Sequence, residues 1–134
     1  MDLGRTIAIL NGEVLTSPVR MDMEMTAGFG ADLVSDMVAA AKPGALMLTG
    51  LCNLQTIHTA GILDVAAVVF VSGKRPLDDV LAAAQRDDLP LICTTFSMFE
   101  ACGRLYQAGL APSLAGQPDS NCRPTKAHVL DLGE

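Results

Sequence analysis

Few side chains in this sequence suggest chemistry, and most of them fall in three short polar stretches. The first, residues 49–53, reads Thr-Gly-Leu-Cys-Asn. The second, Ser72-Gly73-Lys74-Arg75, puts two cations beside a glycine. The third, residues 94–97, supplies Thr94, Thr95 and Ser97. Two cations and several backbone N–H groups at the start of a helix suit an anion. A nucleotide phosphate loop also needs an upstream glycine and a hydroxyl directly after the lysine. Here Arg75 follows, so the Gly-Lys pair does not complete that motif and reads first as a turn leading into a helix, with anion binding as the alternative. His58 stands alone on a helical pattern. No Ser/His/Asp or Cys/His pairing is legible from spacing, and such groups are recognised by geometry in any case. Cys52 precedes a helix, where a thiolate would be stabilised. A redox or metal role for Cys52 with Cys93 competes with both being inert small residues. Asp32 and Asp36, four apart, read as a solvated pair, and Arg104 as a ligand contact or a surface ion pair.

The elements that carry these stretches alternate. Residues 45–48, 66–71 and 89–93 are short apolar runs rich in branched side chains. Helical patterns follow each of them, at residues 54–63, from Pro76 onward, and from Ser97 to Ala108. Strand-then-helix alternation of this kind predicts βαβ units and a parallel sheet. The loops beyond the carboxyl ends of such strands are where ligands usually bind. The three polar stretches are those loops. The candidate ligand-binding residues are therefore Thr49, Gly50, Asn53, Ser72, Gly73, Lys74, Arg75, Thr94, Thr95 and Ser97. Caps mark the helices: Asn53 for the first, Asp78 and Asp79 in the first turn of the second, and Ser97 with Glu100 as a capping box for the third. Gly61 and Gly109 read as helix stops, and Pro90 as a strand start or an edge.

The N-terminal third is less clear. Residues 1–5 are expected to fray, and residues 6–10 form an apolar run before the Asn11-Gly12 turn, with residues 13–15 resuming as a strand. Residues 19–26, VRMDMEMT, alternate apolar and polar strictly. That predicts a strand burying Val19, Met21, Met23 and Met25, either in the core or at a subunit interface. Residues 27–30 read as a glycine-bearing loop. Residues 31–41 read as a helix with an apolar stripe of Leu33, Val34, Met37, Val38 and Ala41. In the helix at 54–63, Ile57, Ala60, Ile62 and Leu63 are expected to face the core. Beyond Leu110 the composition shifts to Pro, Gly, Ser, Asn and Asp. Residues 111–134 are expected to form a loose tail, with a short strand at residues 129–132.

Composition narrows the function classes. The chain has 134 residues, which fits one domain. Half of it is hydrophobic and 18% charged, with mean hydropathy +0.37. A small chain this apolar is expected to cover part of its surface with another copy. No apolar run reaches the length of a membrane helix. The N-terminal residues lack a cleavage motif, so a signal peptide is not expected. The net charge is −6 with no basic stripe, one Tyr and no Trp, which argues against nucleic acid. The four cysteines form no C-x-x-C pair, so no zinc ribbon or metal cofactor is expected, and reduced thiols in a cytoplasm are the default.

Two segments, GADLVSDMVAAAKPGALMLTGLCNLQTIHTAGILDVAAVVFVSGKRPLDDVLAAAQ and LPLICTTFSMFEACGRLYQAGL, resemble the DRTGG domain family, in particular its small stand-alone members from anaerobic bacteria. The most specific pieces are ADLVSDM, the VSGKRP loop and the TTFSMFEACGRLYQAGL run. The naming motif falls on residues 49–53, where Gly50 is kept and the Asp-Arg pair is absent. The resemblance covers roughly residues 5–110. It implies an α/β fold with parallel strands, in two or three layers, usually dimeric. It also implies a regulatory or interaction role, as in the modules beside CBS domains in nucleotide-regulated pyrophosphatases and in phosphotransacetylases. Its members are similar to the N-terminal domain of HPr kinase, which lacks the kinase site, and stand-alone members often sit near iron-only hydrogenase genes.

Three expectations follow. The first is a non-enzymatic homodimeric module that regulates or scaffolds a protein partner, in hydrogenase or energy metabolism. The second is a sensor of an adenine nucleotide or anion at the three loops. The third, an enzyme, has no visible nucleophile–base pair behind it. All depend on the strands at 45–48, 66–71 and 89–93 lying parallel, so that their outgoing loops share one rim.

Overall fold

The three central runs do lie parallel. In the computed structural model, which describes residues 1–114, β3 (Leu46–Thr49), β4 (Ala67–Phe70) and β5 (Leu91–Cys93) pair parallel in sequence order. Two shorter strands flank them. β2 (Gly28–Gly30) adds parallel to β3, and β1 (Glu13–Val14) adds antiparallel to β5, giving the order β1-β5-β4-β3-β2. The central strands, LMLT, AVVF and LIC, are buried throughout and almost wholly apolar because both faces are covered. Met47, Val68, Phe70 and Leu91 meet α2 (Val34–Ala40), α3 (Leu54–Leu63) and α4 (Asp78–Arg86) on one face. Leu46, Leu48, Val69 and Ile92 meet α1 (Leu3–Leu10) and α5 (Met98–Gln107) on the other. The fold is three-layered, helices on both sides of a mainly parallel sheet. The helices after β2, β3 and β4 lie on one face and the helix after β5 on the other.

The caps hold as the sequence indicates. Asn53 accepts from the N–H of Thr56 (2.9 Å), and Ser97 from that of Glu100 (3.2 Å). Asp64 closes α3 in the left-handed conformation, while α3 itself runs past Gly61. Pro90 stands just before β5, an interior strand, so it marks a strand start and not an edge.

The N-terminal third differs from its sequence reading, and the reason lies in helix ends. Residues 1–10 neither fray nor form a strand. Asp2 caps α1 by accepting from the N–H of Arg5 (2.7 Å), and Leu3, Thr6 and Leu10 are buried at helical spacing. The first N–H groups of a helix have no partner within it. In α1 those of Leu3 and Gly4 are taken by the carbonyls of Met23 (2.8 Å) and Met21 (2.9 Å). The alternating segment 19–26 therefore spends its backbone on the start of α1 and forms only an isolated bridge, Asp2 to Glu24. Met25 is buried, Val19 and Met23 are half-buried, and Met21 is exposed. Residues 27–30, expected as a loop, supply β2. α2 begins only at Val34, and of its stripe Met37 is buried while Leu33 and Val38 are exposed. Ile62 in α3 also faces solvent.

Of the segment expected to be a loose tail, the first residues pair with the sheet. The N–H of Gly28 donates to Ala111 and that of Ser113 to Gly28, both at 2.9 Å, and the Ser113 hydroxyl donates to Ala40 (2.6 Å). The strand expected at 129–132 and Cys122 lie outside the described residues.

Candidate functional site

The loops after β3, β4 and β5 gather at one rim, but much of their polarity is used within the protein. The crevice between the exits of β4 and β5 is where the helices change sides, the place a ligand would be sought. There the N–H of Ser72 donates to Phe96 (2.7 Å) and that of Gly73 to Thr94 (2.9 Å), joining the two loops. The N–H of Lys74 turns back to Val71 (3.2 Å). The amides offered to an anion by the sequence are thus bonded. Ser72 and Gly73 both take left-handed backbone, with φ of 62° and 69°.

The side chains divide similarly. Thr49 is buried, donates to Asp32 (3.2 Å) and accepts from the N–H of Leu51 (3.1 Å). Thr94 is buried, donates to the carbonyl of Leu10 (2.7 Å) and accepts from the N–H of Phe96 (3.2 Å). Asn53 and Ser97 are helix caps. Arg75 leaves the rim for β1, where it forms a bidentate pair with Glu13 (2.5 and 3.2 Å). That pair holds the Glu13 carboxyl below its ordinary range and raises Arg75. What remains open is Lys74, exposed and with no carboxylate in ion-pair range among the described residues, together with exposed Thr95. Lys74 leans over Gly50: a Cβ added there would lie 3.5 Å from its Nζ and 3.5 Å from an Asp32 oxygen.

Asp32 is the rim residue that sequence reasoning missed. Its carboxylate does not sit idle in a solvated pair with Asp36. It accepts from the N–H of Gly50 (2.7 Å) as well as from Thr49, tying the start of α2 to the exit of β3. Its signal was its place directly after β2, invisible while residues 27–30 read as a loop.

Among the thiols, Cys52 departs from the stabilised-thiolate reading. Burial pushes Cys52 up, with Lys74 opposing, so the helix that follows does not make it a stabilised thiolate. Cys93 is raised chiefly by burial; its sulfur lies 3.4 Å from an Arg75 nitrogen and 3.6 Å from Glu13. Burial raises Cys102 as well. Among the described residues no group of three or more His, Cys, Asp or Glu side chains is placed to hold a metal. His58 is exposed on α3. Arg104 makes the surface ion pair, to Glu100 (2.8 Å), and lies 4.3 Å from the centre of the Phe96 ring.

A second concavity lies away from the rim. A groove of about 420 Å³ runs between β2 and α5. Leu48, Met98, Cys102, Leu105 and Tyr106 make it apolar, and Ala111 and Pro112 close one side. Along its border Phe99 is 90% exposed and Tyr106 70%. Its sequence signal was α5 itself: Met98, Phe99, Ala101, Cys102, Leu105 and Tyr106 are more apolar positions than one buried stripe needs.

No family model matches the sequence, and no curated protein matches it. Among solved structures, the chain is similar to the CBS and DRTGG domains of the regulatory region of Clostridium perfringens pyrophosphatase, complexed with its activator, diadenosine tetraphosphate. The TM-score is 0.66 at 16% identity, over 98% of this chain and 57% of that one. This chain has a DRTGG-like fold. It spans little more than half the length of that regulatory region. Among the described residues, no helix of the DRTGG-like fold is long and apolar enough to cross a membrane.

Proposed function

We propose that this chain is a non-enzymatic regulatory or interaction module that works as a homodimer through the face made by α5 and β2. The observation that carries the reading is the pairing of a hole with a knob on one surface. The apolar groove lies beside Phe99, a large side chain almost wholly in water. In a two-fold interface the same patch serves both copies, so each Phe99 enters the groove of the other. Exposed Tyr106, which lines the groove, extends the patch. Analytical ultracentrifugation tests this: the wild type is a dimer at micromolar concentration and Phe99→Asp is a monomer with an unchanged circular dichroism spectrum. A wild type monomeric at all concentrations overturns it. Free Cys52, Cys93 and Cys102 fit a reducing cytoplasm. The resemblance seen in the sequence is what supports a partner in iron-hydrogenase or energy metabolism, which an affinity pull-down from the native host would test.

A second reading is a sensor for an adenine nucleotide or anion at the rim. It is favoured by the activator held by the structurally similar regulatory region, and by Lys74, an uncommitted cation at the mouth of the β3 and β4 loops. Of the ten residues that the sequence offered, Lys74 and Thr95 carry the uncommitted side chains that would contact it, beside Gly50. A ligand binding only the native form raises its melting temperature. Diadenosine tetraphosphate, ATP and phosphate are therefore expected to stabilise the wild type and not Lys74→Ala. The absence of any shift at millimolar ligand refutes the reading.

A further inference from the structure

We propose that Lys74 and Asp32 hold one adenine ribonucleotide over Gly50, Lys74 taking a phosphate and Asp32 the ribose hydroxyls. The inference rests on the sensor reading above and deepens it: it names the sugar that is recognised and adds Asp32 to the contacts.

The first observation is strand order. β4, β3 and β2 are neighbours in the sheet and run parallel, so their exits stand side by side. Gly50 leaves the middle strand, Lys74 follows β4 and Asp32 follows β2. A Cβ on Gly50 would lie 3.5 Å from Lys74 Nζ and 3.5 Å from Asp32 Oδ1. A cation and a carboxylate thus lean over one backbone position from its two sides, and a single sugar phosphate placed there reaches both. The neighbouring crevice is different, because the amides of Ser72 and Gly73 bond across it to Phe96 and Thr94.

The second observation is that neither backbone nor packing requires glycine at position 50. Its φ lies outside the left-handed region, unlike that of Gly73 or Gly109. The atoms nearest to an added Cβ stand between 3.5 and 3.7 Å away, at ordinary contact distance. Glycine loses more conformational freedom on folding than any other residue, and it is used where backbone closely approaches a ligand. Its effect here is to keep space open between the two charged heads.

The third observation is how Asp32 is held. The N–H of Gly50 (2.7 Å) and the hydroxyl of Thr49 (3.2 Å) both donate to Oδ1. An ionised carboxylate accepts about four hydrogen bonds. The two bonds fix the group and leave it capacity for a diol. An acid beyond a parallel strand bonds the ribose hydroxyl in dinucleotide-binding α/β folds, and a lysine serves phosphate as a point charge.

The test uses the full chain and calorimetric titration with ATP, 2′-deoxyATP, 3′-deoxyATP and inorganic phosphate. A site built to bond a hydroxyl rejects the analogue lacking it, so at least one deoxynucleotide should bind about ten-fold more weakly than ATP. Gly50→Ala fills the space without a clash. It should weaken ATP binding by about ten-fold or more with the melting temperature unchanged. The deoxynucleotide comparison uses the wild type and does not depend on how the variant folds. Equal binding of the three nucleotides, or wild-type affinity in Gly50→Ala, overturns the inference and leaves the sensor reading standing. Phosphate bound without ATP does the same. Neither bound at millimolar concentration refutes both.

Discussion

Thr94 separates a brace from a ligand contact. The sequence places it in a binding loop; the structure buries it between the end of β5 and the end of α1. Its hydroxyl donates to the Leu10 carbonyl at 2.7 Å and accepts from the N–H of Phe96 at 3.2 Å. Among the described residues no other donor reaches that carbonyl. Thr94→Val keeps the shape and removes both bonds. A buried polar group left without a partner costs about 1–3 kcal/mol; the Phe96 amide recovers part of its loss from water. The expected loss is about 2 kcal/mol. At roughly 4 °C per kcal/mol for a domain of this size, the melting temperature falls by about 8 °C. The urea midpoint falls by roughly 1 M with the slope unchanged, because the surface exposed on unfolding is the same. Thr94→Ser should recover most of it. A Thr94→Val loss below about 0.5 kcal/mol, combined with disappearance of ligand-induced stabilisation, would falsify the brace and return Thr94 to the binding site.

Three further outcomes follow from the same geometry. Arg75 holds Glu13 below the ordinary carboxylate value, so the folded form takes up that proton less readily than the unfolded chain. The contribution is complete above about pH 4.3 and is lost as pH falls through the lower folded value. The stability difference between wild type and Glu13→Gln should vanish on acidification; a constant difference from pH 7 to pH 3 would sink the argument. Cys52, Cys93 and Cys102 are all raised by burial, so iodoacetamide at neutral pH should modify them about ten-fold more slowly in the native protein than in urea, read by peptide mass mapping. Fast native labelling of Cys52 would contradict this. Gly103→Ala should stabilise by about 0.5–1 kcal/mol, because alanine favours the helix and nothing opposes its Cβ. A lower melting temperature would mean that α5 packs differently.

Helix α3 was legible as a pattern over residues 54–63 opened by the side-chain oxygen of Asn53, although the chain passes Gly61, which reads as its stop, and closes only at Asp64. The strands β3, β4 and β5 were legible because burial on both faces leaves them almost wholly apolar. Segment 19–26 misled for an opposite reason. Its alternation fits a strand, but its carbonyls were needed by the unpartnered amides of α1, twenty residues away. β2 was missed because Gly-Phe-Gly has no strand propensity of its own; pairing with β3 makes it one.

The candidate site shows the same division more sharply. Apolar runs and caps determined by themselves that three parallel strands would deliver three polar loops to one rim. They could not show that Arg75 would be drawn off to Glu13, that Asp32 would hold Gly50, or that Thr94 would brace α1, since each involves a partner at least 17 residues away. Nor could they show the groove, which exists only because α5 crosses back over β2. Local propensity is written along the chain. The saturation of polar groups and the hollows between elements depend on which distant surfaces meet, and only the packed structure decides that.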